Sequence, residues 1–277
     1  MRTLFRIFIG ATILTSLNRL HAQGDINLPG QALGLTIGYR LSTILDQNTS
    51  RLVYKSSQTK LGLSWQKNND KYYYSGRVEV VRGNLTARKY PDRSITFLEE
   101  DVHDNLTETE VPMSGNLSTI GISLAYLRNL NPGHKLSPFV GAQLSEEANY
   151  SQGFVTPGLM NSISFAPAID VQYRASEKSY LYLGITIPIA SVITRSAYHN
   201  SVSLPEAKKL AGFWKNGTQF ESLESHREIN IRAGYGLQIG KKMYGGLEYT
   251  FRSLNNRSPR ILGRLDHEVN LTFRYLK

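Results

Sequence analysis

Two short runs in this chain have side chains whose types and spacing could do chemistry. The first is Glu99-Glu100-Asp101-Val102-His103-Asp104. Carboxylates and an imidazole at this density are donors of the kind that hold a divalent cation, with Glu99, Asp101, His103 and Asp104 as the candidate ligands. In an extended backbone alternate side chains share a face, so Asp101 and His103 would project together. The plainer reading is an acidic loop in solvent. The second run is Tyr198-His199-Asn200-Ser201. His199 and Ser201 fall on one side of an extended segment, as a base and a hydroxyl nucleophile must, provided further donors serve an oxyanion. Its plainer reading is a polar loop. Asp266 and His267 are adjacent, so on a strand they face opposite ways and make a poor catalytic pair. No motif implies a cofactor.

The elements that would position these residues come next. The chain has 277 residues, no cysteine and a mean hydropathy of −0.30. Without cysteine there is no disulfide framework, no thiolate metal site and no cysteine nucleophile. No stretch offers the ~20 apolar residues of a membrane-crossing helix. Lys and Arg number 32 against 22 Asp and Glu, a formal charge of +10. Residues 1–22 read as a secretory signal peptide: Arg2 and Arg6, then a short apolar core over 7–17, then Ala22 at the cleavage point. Its removal takes away three Arg and no acid, leaving 29 cations against 22 anions, or +7. Nothing in the remainder looks like a nucleic-acid module. Residues 23–31 read as an N-terminal periplasmic segment, and 32–277 as one domain.

That domain alternates with a period of two, the mark of a sheet with two different environments. Over 32–44 one face carries Leu33, Leu35, Ile37, Tyr39 and Leu41, and the other Gly34, Thr36, Gly38, Arg40 and Ser42. The same holds over 161–174, 180–192, 226–239 and 267–275. Weaker versions occupy 58–67, 72–81, 117–127 and 243–253, with 136–144 the least marked. These make about ten strands of ~9–13 residues, and a membrane-crossing strand needs ~9–11. Short links such as Asn131-Pro132-Gly133 alternate with longer ones at 45–57, 82–116, 145–160, 193–225 and 253–264. The polar face repeatedly carries charge: Arg40, Arg77, Glu79, Asp170, Arg174, Arg232, Glu248, Arg252, Glu268 and Arg274. Charges buried in a narrow lumen persist only when paired, so an internal ion-pair network is expected. Outward Trp65, Tyr72, Tyr74, Tyr126, Tyr173 and Tyr275, with Tyr235 and Tyr244, fall near strand ends, where rings with a wet tip meet a membrane interface.

The expectation is therefore an all-β protein: a single antiparallel up-and-down transmembrane β-barrel of about ten strands (roughly 8–12), with short periplasmic turns and long outer loops near 82–116 and 193–225. Within the second long loop, Ser203 and Glu206 have capping-box spacing ahead of Ala207, Leu210, Ala211 and Trp214, which predicts a short amphipathic helix.

These alternating segments and the signal peptide resemble bacterial outer-membrane β-barrel proteins. Phe273-Arg274-Tyr275 is similar to the aromatic-bearing last strand that the barrel assembly machinery reads, although Leu276-Lys277 follow it. The Ala22-Gln23 junction is similar to those of Bacteroidetes-type secreted proteins. The resemblance implies an outer-membrane location, with membrane lipid, lipopolysaccharide and the assembly machinery as partners, and it identifies no specific family. Asp101/His103 resembles the Asp-x-His pair of omptin proteases, but their second acidic pair has no counterpart here. His199/Ser201 matches the His-x-Ser spacing of outer-membrane phospholipase A, but Val202-Ser203 stand where that family has Asn-Gly. The leading expectation is a non-enzymatic envelope or interaction component acting through its outer loops, with a filled lumen. The alternatives are a rim hydrolase, lipase- or protease-like, and a secreted β-sandwich that binds a ligand.

Overall fold

The computed structural model describes residues 30–69, 71–100, 106–152, 158–195, 214, 217–258 and 260–277. The elements are β1 (Gly30–Asp46), β2 (Val53–Asn69), β3 (Tyr72–Ala87), β4 (Ser94–Glu100), β5 (Leu106–Pro112), β6 (Ser114–Asn129), β7 (Leu136–Gln152), β8 (Gly158–Arg174), β9 (Ser179–Thr186), β10 (Ala190–Arg195), β11 (Thr218–Ser222), β12 (His226–Gln238), β13 (Met243–Asn256) and β14 (Leu262–Leu276). All pairings are antiparallel. The wall runs β1-β2-β3-β6-β7-β8, and β8 also pairs with β9, which joins β12, β13, β14 and so β1 again. β9 with β10, and β11 with β12, are two interrupted strands, so the closed barrel has ten. In this ring β7 and β14 lie diametrically opposite. A two-sheet sandwich is excluded by the closure.

The break between β9 and β10 has a local cause. Thr186 pairs with Ala168 and Ala190 with Phe165, so one strand spends an extra residue there, a bulge just after Pro188. The start of β1, the end of β14 and four tight links (70–71, 130–135, 175–178 and 239–242) lie at one end, here the turn end. In the second of these, Gly133 takes a φ of 86°, which follows Pro132 and favours glycine. The other end, the loop end, carries the β4–β5 hairpin, a two-stranded sheet of its own.

Three of the links read as long from the sequence are short. β1 and β2 run on until only 47–52 join them. Likewise β7 and β8 leave 153–157, and β13 and β14 leave 257–261. The 82–116 segment is mostly strand: β3 reaches Ala87, β6 begins at Ser114, and the hairpin lies between. Strands of up to 17 residues are roughly 55 Å long, which at a ~40° tilt gives roughly 40 Å of wall, against an apolar band of ≈ 25 Å.

The wall changes character along its height. On β2, Leu61, Leu63 and Trp65 face outward and exposed, while Lys60, Gly62, Ser64 and Gln66 face inward. Toward the loop end of the same strand the outward residues become Lys55, Ser57 and Thr59, and Tyr54 turns inward, 4% exposed. β3 does the same, with Val78 and Val80 outward, then Arg82 and Asn84 outward over inward Leu85 and Ala87. β13 passes from outward Leu247, Tyr249 and Phe251 to inward Leu254. One part of the barrel is thus apolar outside and polar inside. The next part is polar outside and apolar inside, as a small water-soluble barrel would be.

Candidate functional site

The interior has three layers. At the turn end Tyr73, Leu127, Phe139, Tyr180, Tyr182 and Tyr244 pack into an aromatic floor, with Leu276 against it. Glycines on the adjacent strand β12 make room for it: the rings of Tyr182 and Tyr180 lie where a Cβ on Gly234 and Gly236 would be. Toward the loop end two apolar clusters line the top of the lumen. One holds Ile44, Tyr54, Leu85 and Leu117, and the other Met160, Ile193, Leu254 and Leu262.

Between floor and top lies a charged layer. Its buried charges balance among the described residues. Arg40, Lys60, Arg77, Arg195, Arg232, Arg252, Arg264 and Arg274 stand against Glu79, Glu147, Asp170, Glu221, Glu228, Glu248, Asp266 and Glu268, eight of each. Among the described residues the buried charges thus add nothing to the positive excess. On the β14-β1-β2-β3 wall, Arg40 donates to Glu268 at 3.0 Å. Lys60 bridges Glu268 at 2.8 Å and Glu79 at 2.7 Å, and Arg77 reaches Glu79 at 3.4 Å. On the far wall Arg232 pairs with Asp170, and the Tyr182 hydroxyl donates to Glu248 at 2.6 Å. Arg274 donates to the Tyr180 hydroxyl at 3.1 Å.

The third set crosses the lumen. Glu147 on β7 lies 3.5 Å from Arg252 on β13 and 3.6 Å from Arg264 on β14. Arg252 also pairs with Glu228, whose second neighbour is His226 at 3.1 Å, and Arg264 with Asp266 at 3.2 Å. Asn149 donates to Glu147 at 2.7 Å and accepts from Thr119 at 2.9 Å. Above this layer Arg195 on β10 reaches across the mouth to Asp46 on β1 at 2.6 Å, and donates to Asn256 and to the carbonyls of Ser258 and Arg260. Apart from Glu221, each of these charges has an ion-pair or hydrogen-bond partner among the contacts above, which is the condition for burying it. A cavity between Asp46, Tyr54, Asn149 and Arg264 has a volume of about 40 Å³. That is room for a few waters, far below the ≈ 300–1,000 Å³ of a ligand site.

The sequence-derived lumen residues fall as follows. Arg40, Arg77, Glu79, Asp170, Arg232, Glu248, Arg252, Glu268 and Arg274 are buried on the inner face, and Arg174 is half-buried at the turn end. Sequence reading passed over Lys60, Glu147, Glu228, Arg264 and Asp266. Lys60 carried a signal, since it alternates with Leu61. Trp65, Tyr74, Tyr126, Tyr173 and Tyr275 are exposed on the outer face at the turn end, and Tyr72 is half-exposed beside Tyr126. Tyr244 departs from its expected outward position. It is 5% exposed and belongs to the floor, because the β13 phase puts Met243 and Gly245 outside.

Of the chemistry-bearing runs, Glu99 lies on β4 of the hairpin. Asp101, His103, Asp104, His199 and Ser201 lie outside the described residues, as does the 203–213 segment. No three His, Asp or Glu side chains among the described residues cluster as metal ligands. His267 faces outward, accepting from or donating to Tyr249 at 2.7 Å, and Asp266 faces the lumen.

Ten antiparallel strands closed on themselves, apolar outside and charged inside, define the outer-membrane β-barrel class. A solved structure agrees on the fold. The outer membrane protease OmpT from Escherichia coli superposes with a TM-score of 0.51 at 10% identity, covering 95% of this chain and 100% of that one. The β domain of the Bordetella autotransporter BrkA gives 0.47 at 8% identity, over 90% and 100%. No protein-family model and no curated protein sequence matches the chain.

Proposed function

We propose that this chain is a non-conducting outer-membrane barrel that works as an envelope or interaction component through its loop-end surface. Glu147 carries the reading. It joins opposite walls through Arg252 and Arg264, between an aromatic floor and an apolar top, so a solute meets three successive layers. What remains accessible is the loop end: the wall above the apolar band and the β4–β5 hairpin, to which the sequence adds the long loop expected near 193–225. With the signal peptide 1–22 removed and both termini periplasmic, these surfaces face outward from the cell. Lys55 and Arg82, outward just past the apolar band, are placed to meet lipopolysaccharide phosphates. The Phe273-Arg274-Tyr275 strand supports insertion by the barrel assembly machinery.

The test has two arms. The purified chain in detergent should migrate differently on a gel before and after boiling, and in a planar bilayer it should give no steady ionic conductance. On intact cells, protease added outside should cut within 94–112 or 193–225. Steady single-channel steps, or cleavage only after the cells are broken, would overturn the reading.

A further inference from the structure

The exposed charges of the barrel are sorted by end. At the turn end each of the four tight links carries an exposed cation: Lys71, Lys135, Lys178, and the pair Lys241 and Lys242. Lys277 follows β14 at the same level. Against them stand Glu177 and, in sequence, Asp70. The loop end is less one-sided: its exposed cations, Lys55, Arg82 and Arg88 among them, are interspersed with exposed Asp92, Glu108, Glu110, Glu146 and Glu224. The turn-end cations do not form a patch on the barrel axis. They form a ring, one to each link around the circumference, immediately beyond the outward aromatics Trp65, Tyr126, Tyr173 and Tyr275. Lys242 sits 5.9 Å over the Tyr275 ring, which joins the two girdles.

We infer that this ring binds anionic phospholipid headgroups in the leaflet at the turn end, so that the barrel carries a shell of acidic lipid. The argument is geometric. A discrete soluble ligand would be met by converging side chains, whereas a headgroup layer surrounds the barrel at one height and is matched by cations at that height. The neighbouring aromatics fix that height at the membrane interface, and a Lys near an anionic surface gains attraction that falls off within a Debye length. The inference rests on the barrel spanning a membrane.

Trp65 is a built-in probe, because it faces lipid two residues from exposed Lys67. The full chain carrying Trp214→Phe is refolded into phosphatidylcholine bilayers. These contain equal mole fractions of either brominated phosphatidylglycerol or brominated phosphatidylcholine. Brominated phosphatidylglycerol should quench Trp65 with an apparent affinity about twofold or more higher. The preference should vanish in about 1 M salt, where screening acts within ~3 Å, and in the Lys71→Gln/Lys135→Gln/Lys242→Gln variant. Equal quenching, or a preference that survives salt, overturns the lipid shell while leaving the membrane barrel intact. No quenching by either lipid overturns the membrane reading and the lipid shell with it. Retention on isolated peptidoglycan with equal quenching would assign the ring to that polymer instead and overturn the inference.

Discussion

The carboxylate of Glu147 stands 3.5 Å from Nη1 of Arg252 and 3.6 Å from Nη1 of Arg264, on strands that face β7 across the barrel. A residue 0% exposed thus fixes the lumen's cross-section. Truncating one member of a buried ion-pair set leaves its partners desolvated and unpaired, at a cost of about 3–5 kcal/mol. Glu147→Ala should therefore lower by that much the unfolding free energy obtained from a urea titration of the folded gel band. Exposed Glu224→Ala, in the link between β11 and β12, should change it by less than about 0.5 kcal/mol. Equal effects would mean that Glu147 does not carry the cross-lumen contact.

The layered interior makes a separate prediction about permeation. Because floor and top each narrow the lumen, Glu147→Ala alone should leave a reconstituted bilayer silent. Conductance should appear only when Glu147→Ala is combined with Tyr180→Ala and Phe139→Ala, which open the floor, and with Tyr54→Ala and Leu254→Ala, which open the top. A pore formed by Glu147→Ala alone would show that the apolar layers are no barrier.

The aromatic floor depends on absent side chains. Tyr180 and Tyr182 occupy the volume a Cβ would take on Gly236 and Gly234, and their rings stack at 6.1 Å. Gly236→Ala should destabilise by about 1–3 kcal/mol through overpacking. Tyr180→Ala in the same chain should relieve most of that penalty, giving a coupling of about 0.5–3 kcal/mol in a double-mutant cycle. Strictly additive losses would place the Tyr180 ring elsewhere.

How much of this was legible in the sequence follows from where polarity contrast exists. Between Leu33 and Leu41, or Ile229 and Ile239, lipid outside and charge inside make every second residue alternate, and the strands read directly. Above the apolar band the contrast reverses. Tyr54, Leu85 and Leu254 turn inward while Lys55, Asn84 and Ser253 face water. At the crossover both faces are mixed, the period-two signal cancels, and continuous strand reads as loop. Glu147 and Arg264 lie in those stretches, which is why the cross-lumen pair was missed while Arg40 and Glu268 were found. The β4–β5 hairpin has exposed side chains on both faces, such as Ile95, Thr96 and Leu98, so no burial pattern marked it.

The same reversal predicts the position of the membrane boundary on a single strand. On β2, Leu63 is 66% exposed on the outward face among other outward apolar residues, and Ser57 is outward six residues nearer the loop end. An Arg on a lipid-facing position near the bilayer midplane costs about 2–4 kcal/mol, falling to about 0–1 near the interface. Leu63→Arg should thus reduce folding stability in bilayers by the larger amount, and Ser57→Arg by the smaller. In detergent micelles, where the head group can reach water easily, the gap between the two should narrow. Urea titrations of both variants in bilayer and micelle measure all four quantities. Equal penalties at the two positions in the bilayer would mean that lipid reaches Ser57, and the polar collar would then have to be buried in the membrane instead of standing above it.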